Sequence, residues 1–235
     1  VPSGDPFFVM YATHQTHHPQ FVNPANIGVS AKLGGRADVF ADAAWEMDAS
    51  IGKLLRYLRT SGLDKSTYVF LASDNGAALP YGKLAGSNGE LRCGKGSTWE
   101  GGQRVPFIVW GATTPRGAVV NDIVAGMDLF ATVASLAGAR LPTDRVMDSM
   151  DFSRLLGVSP PSTPSSNPMQ KRDSFIYYSL DPGTPAAVRI RDLKVHFRTS
   201  SWMENRKWGI TPSCNFPPGT ELGKQTSPLV FDVAT

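Results

Sequence analysis

Thr67-Tyr-Val-Phe-Leu-Ala-Ser-Asp-Asn-Gly76 decides the reading of this chain. It is an apolar, β-branched and aromatic run that stops at two oxygen-bearing side chains and a glycine. The pattern predicts a buried strand over 67–73 that delivers Asp74 and Asn75 to the carboxyl end of a sheet, where the sites of open α/β folds lie. A carboxylate beside a carboxamide offers hard oxygen ligands, suited to Ca²⁺ or Mg²⁺ rather than zinc. Asn-Gly is also a strong hairpin signal. Pro80, five residues on, interrupts any return strand and weighs against the hairpin.

Working outward, Pro6–Thr13 is a continuous apolar run of strand length. Ala37–Ser61 carries Met47, Ile51, Leu54, Leu55 and Leu58 at helical spacing, with Gly62 as a stop. Strand, helix and strand in that order predict a βαβ unit and a parallel sheet. Val105–Trp110 reads as a further buried strand and Met127–Ala139 as a helix. Pro19–Gly35 and the glycine-rich stretch 77–104 read as loops. Residues 157–172, rich in Pro and Ser, read as a linker. Beyond it, Ser174–Ser179, Ala187–Ile190, Lys194–Thr199 and Leu229–Val233 read as short strands of a small antiparallel subdomain. The expected organisation is a large α/β portion over 1–156, the linker, and a β subdomain over 173–235.

Composition describes a globular protein. Of 235 residues, 41% are hydrophobic and 18% charged, with a net charge of +3. That charge implies no general affinity for nucleic acid. No apolar run reaches membrane-spanning length. The start, Val1-Pro-Ser-Gly-Asp-Pro6, does not read as a signal peptide and runs directly into a strand-like stretch, as an internal piece of a longer protein would. The two cysteines, Cys93 and Cys214, are compatible with free thiols or with a bridge.

Two further segments carry chemistry. His14, His17 and His18 cluster just after the first predicted strand. A histidine-rich zinc site is one reading, although no Cys, Asp or Glu stands nearby to complete a tetrahedron. Gly89-Glu-Leu-Arg-Cys-Gly-Lys-Gly96 matches a phosphate-binding loop until its last position, where Gly96 replaces the required Ser or Thr and no strand precedes it. A glycine-rich backbone still lets the Lys95 ammonium approach a tetrahedral oxyanion closely.

These segments together resemble the C-terminal half of a type I sulfatase, a relative of alkaline phosphatase in fold. Pro6–Phe21 resembles the family's histidine segment, with His17 at its active-site histidine. Ser73-Asp-Asn-Gly76 resembles the segment that supplies two calcium ligands, and Leu91–Gly102 the active-site lysine segment, with Lys95 at the lysine. Met127–Gly138 resembles a helix these enzymes share. Ser73–Ala78, Gly86–Gly89, Pro142–Arg145, Lys194–Phe197 and Ser201–Asn205 look most like the N-acetylgalactosamine-6-sulfatase and arylsulfatase A branch.

The resemblance implies an α/β fold with a mixed, mostly parallel sheet between helices, and hydrolysis of sulfate esters of sugars or aryl compounds. It implies His17 and Lys95 as catalytic, Asp74 and Asn75 as ligands of one Ca²⁺, and a Cys93–Cys214 disulfide in a lysosomal or secreted setting. The family nucleophile is a formylglycine made from a Cys-x-Pro-Ser-Arg motif. Here Cys93 precedes Gly-Lys-Gly and Cys214 precedes Asn-Phe-Pro-Pro. The nucleophile is therefore expected on an N-terminal chain of the same sulfatase, bound to this one as a two-chain unit that could itself dimerise. The rival expectation is a non-catalytic, sulfatase-fold matrix or polysaccharide-binding protein.

Overall fold

The computed structural model describes residues 5–111, 113–158, 171–178, 183–199, 214 and 223–234. The chain divides into two compact units: Val1–Leu63 with Tyr81–Gly86, and Asp64–Pro80 with Ser87–Thr235.

The first unit is built on α2 (Val39–Thr60), preceded by the short α1 (Val29–Lys32). Asp38 caps α2 by accepting from the Ala41 N–H at 2.9 Å, which satisfies one of the orphan donors of the first turn. Gly62 follows the helix at φ +69°, the left-handed geometry that ends helices. The apolar stripe forms as its spacing predicts, but Leu58 alone of its residues is fully buried and Leu54 is exposed. The Pro19–Gly35 loop contains a 3₁₀ turn at Pro24–Asn26 and α1.

The run at 6–13 is not a strand. Its residues pair with no neighbour among the described residues, and Phe8 and Met10 stand 73% and 81% exposed. The apolar pattern reports a demand for burial, whereas a strand exists only through a partner's hydrogen bonds.

The second unit holds two sheets. β1 (Val69–Ala72) pairs with β2 (Phe107–Trp110), and the pairing is antiparallel. The parallel pairing expected of the strand–helix–strand unit has no counterpart among the described residues, because its first run, 6–13, forms no strand. The ring of Phe152 meets those of Phe70 and Phe107 edge-on at 6.3 and 5.8 Å, covering one side of this pair. Between the two strands lies α3 (Glu100–Gln103), and after them α4 (Asp128–Leu136). Asp128 is buried and accepts from the N–H groups of Ala125 and Met150, each at 2.8 Å, and from Arg172.

The second sheet is antiparallel and four-stranded in the order β3 (Ser174–Tyr178), β4 (Pro185–Ile190), β5 (Leu193–Arg198), β6 (Lys224–Asp232). This is the small β subdomain expected from the short strands. β6 starts earlier than the expected Leu229 because Pro228 sits on an edge strand, where a missing N–H is tolerated. Most of the expected linker, 159–170, lies outside the described residues. No helix among the described residues is long and apolar enough to cross a membrane.

Candidate active site

β1 ends at Ala72, and the chain then presents Asp74 and Asn75 as the sequence predicts. Ser73 Oγ donates to the Asn75 carbonyl at 2.8 Å and fixes the backbone at the strand end. The Asp74 carboxylate is exposed and the Asn75 carboxamide half-buried. No protein group bonds either side chain among the described residues, so both remain available to a ligand. Their oxygen donors fit a hard cation such as Ca²⁺ and supply part of the six to eight it takes. Among the described residues no three of His, Cys, Asp and Glu gather to complete the shell.

Gly76 explains itself by proximity, not by a hairpin. A Cβ on it would lie 1.7 Å from the Gly101 carbonyl oxygen. Its N–H donates to the Gly102 carbonyl at 3.1 Å. Gly94 is equally confined, with the Ala77 oxygen 2.3 Å from its would-be Cβ. The Lys95 N–H donates to that same Ala77 oxygen at 2.9 Å. Asn88 bridges the two segments: its Oδ1 accepts from the Ala77 N–H at 2.8 Å and its Nδ2 donates to the Cys93 carbonyl at 2.7 Å. The strand end with Asp74 and Asn75 is thus interlocked with the loop that carries Lys95. Lys95 itself is half-buried.

Cys93 and Cys214 form a disulfide, with Cα atoms 4.4 Å apart and a separation of 121 positions in sequence. It packs against Trp99, Leu229 and Phe231. Cys93 adopts φ +59°, a left-handed conformation costly for a residue with a side chain. Trp99 stacks on His196 with centroids 4.1 Å apart, and Arg92 lies 5.0 Å over the Trp99 ring.

Below the loop lies a buried charged cluster. Lys194 Nζ donates to Glu100 Oε1 at 2.8 Å and lies 3.7 Å from the centre of the Tyr177 ring. Burial pulls the Lys194 ammonium below its ordinary range, against the pull of Glu100. The Tyr177 hydroxyl is pushed up to about 12, by burial first and then by the Glu100 charge. His196 is depressed to about 3, by burial first and then by Lys194.

The histidines lie in the first unit. His17 is exposed, and its Nδ1 donates to the His18 carbonyl at 2.6 Å, which in the neutral ring puts the lone pair on Nε2. His18 stacks on Tyr81 at 3.8 Å and His14 meets Phe21 edge-on at 5.9 Å, so both rings are engaged in packing. The loop around them is gathered by two acids on α2. Glu46 accepts from Gln15 at 3.3 Å, from the Asn23 N–H at 2.9 Å and from Asn26 at 2.8 Å, and the Asn26 bond leads in holding its carboxyl low. Asp42 accepts from the N–H groups of Gly28 at 2.7 Å and Ser30 at 2.9 Å.

Sequence reasoning passed over Asp42, Glu46, Asn88 and Glu100. The first two stand four apart on the polar side of a predicted helix, where the loop-facing acids look like any solvated pair. The other two sit in a loop without periodicity.

Residues 1–139 match the family model described as Sulfatase. The N-acetylgalactosamine-6-sulfatase of Mus musculus is 37% identical over 96% of this chain, and arylsulfatase A of Bos taurus 35% identical over 98%. The chain spans 42% and 43% of those relatives. Among solved structures, a sulfatase, PsFucS1, from Pseudoalteromonas sp. superposes on 93% of this chain and 40% of its own, with a TM-score of 0.73 and 26% identity.

Proposed function

The chain belongs to the sulfatase family, and from that premise we propose that it is the C-terminal portion of a sulfuric ester hydrolase. Its substrates are sulfate esters of sugars or aryl compounds, in keeping with the names of its relatives. The observation that carries the reading is the interlock of the Asp74–Asn75 strand end with the Lys95 loop. It joins two hard-oxygen ligands and one ammonium in a single rigid element.

Asp74 and Asn75 hold one Ca²⁺, with Mg²⁺ the less suited ion. When bound, the cation neutralises charge on the sulfate oxygens. Lys95 binds a sulfate oxygen and approaches the leaving group, and its half-buried setting strengthens that attraction relative to bulk water. His17 gives a proton from Nε2 to the leaving oxygen, a contribution typically of about 10²- to 10⁴-fold. The nucleophile, a formylglycine, comes from the N-terminal portion, which also covers the exposed run Phe7–Tyr11. The disulfide supports an oxidising setting, lysosomal or secreted.

The test is turnover of p-nitrophenyl sulfate by this chain assembled with its N-terminal portion. Asp74→Ala is expected to abolish turnover while the fold survives, and Lys95→Ala to lower it by about 10²- to 10³-fold, leaving a measurable remainder. His17→Ala lowers it by about 10²-fold or more and His18→Ala by far less. Full activity in Asp74→Ala overturns the metal assignment. Retention of a sulfated polysaccharide without turnover favours the non-catalytic reading.

A further inference from the structure

Glu100 has no part in that reaction, yet it sits in a largely buried group of charges. Its carboxylate receives Lys194 of β5 at 2.8 Å and lies 3.9 Å from Arg189 of β4. Lys194 is 1% exposed. Burying such a pair costs desolvation of both ions, and an apolar pair of similar volume often serves stability as well or better. The pair is therefore poorly explained by stability alone.

What Glu100 does is mechanical. It is the first residue of α3, a helix of four residues, too short to hold its own shape. The backbone of α3 is nonetheless the wall on which the lysine loop rests. The Gly101 N–H donates to the Arg92 carbonyl at 2.8 Å, and Gln103 Nε2 donates to the Ser97 carbonyl at 2.9 Å. Cβ atoms on Gly101 and Gly102 would meet the Cys93 and Ser97 oxygens at 2.1 and 2.4 Å. Wherever Glu100 is drawn, the segment 92–97 follows.

We propose, resting on the reading of Lys95 as the sulfate-binding lysine, that the Glu100–Lys194 pair is a positioning device for Lys95. The four-stranded sheet sets the depth of α3 through one buried carboxylate, and α3 sets the lysine. The disulfide tethers the loop two residues before Lys95, and the ion pair tethers it five residues after.

Removing one charge strands the other in the interior and endangers the fold. The informative variant is therefore Glu100→Gln combined with Lys194→Met, in the assembled protein with p-nitrophenyl sulfate as probe. Its melting temperature is expected close to that of the parent. Its kcat falls about tenfold or more while KM shifts less than about twofold. Added to Lys95→Ala, the pair of changes lowers turnover by less than about twofold further, since nothing remains to be positioned.

Amide hydrogen exchange gives a readout that needs no turnover: Lys95 and Gly101 lose protection while β3–β5 keep theirs. Arg145→Ala, which breaks the exposed pair with Asp144, leaves both readouts unchanged. Parental kcat and protection in the paired variant overturn the proposal, as does a loss that adds in full to Lys95→Ala. A parent protein that leaves the probe intact sinks the functional reading alone, and exchange then decides the positioning claim.

Discussion

The lysine segment and the histidine segment are both irregular backbone, but different forces hold them. The lysine loop is fixed by glycines packed backbone to backbone, by a disulfide and by a buried ion pair. The histidine loop is gathered by side-chain carboxylates of α2, Glu46 at its solvent-facing edge and Asp42 nearer the interior. The first kind of restraint is steric, covalent or a buried charge pair, and so little sensitive to salt. The second is polar, partly hydrated, and worth about 1 kcal/mol net per bond. The lysine is thus fixed at assembly, whereas the histidine loop keeps freedom to adjust.

The sharpest way to break this contrast is a methyl group. Gly76→Ala places a carbon on the Gly101 oxygen and is expected to separate the two segments, costing several kcal/mol, about 3 or more, and with it the fold of the site. Gly52→Ala on α2, where the same carbon meets open space, is expected to be neutral or to stabilise by about 0.5–1 kcal/mol. Melting curves of the two variants settle whether crowding is confined to the lysine side.

Comparable in size is the effect of the disulfide. Its ends lie 121 positions apart, and Cys93→Ser with Cys214→Ser is expected to cost about 4–5 kcal/mol on the chain-entropy account. Peptide mapping without reduction should recover the linked pair. Two freely alkylated thiols would remove the covalent half of the contrast.

A smaller effect comes with acid. His196 is wholly buried, and its imidazole is held from 6.5 down to about 3. Between those values the unfolded chain binds a proton that the folded one refuses. The stability gained by keeping His196 neutral is complete above 6.5 and drains away as pH falls toward 3. Denaturant titrations at about pH 7 and about pH 4 should show parent stability falling roughly 3 kcal/mol more than that of His196→Phe, which keeps the stack on Trp99. Equal slopes would mean the imidazole is accessible.

The smallest effect belongs to the histidine loop. Glu46→Gln is expected to destabilise only slightly and to speed amide exchange at Asn23 without touching the lysine loop. Coupled loss of protection at Lys95 would erase the distinction.

What the sequence made legible follows this same division. α2 and α4 were readable because a helix satisfies its own hydrogen bonds, so its periodicity is local. That a strand leads into Asp74 was readable from the abrupt change of chemistry, but its burial was not, since Leu71 and Ala72 are exposed. The run at 6–13 and the direction of the β1–β2 pairing were not, since both depend on a neighbour that a pattern does not identify. Glu100 was invisible for a related reason: its partner is 94 residues away. Gly76 looked like a turn residue, and only the approach of α3 revealed why no side chain fits there.

The disulfide has a topological consequence as well. It turns residues 93–214 into a closed ring of chain that includes α3, α4 and the four strands β2–β5. A protease that cuts once anywhere inside this ring makes a nick, not a truncation. The two products stay joined by sulfur and migrate as one species until a reductant is added. The lysine, on the ring's first turn, would remain attached to both.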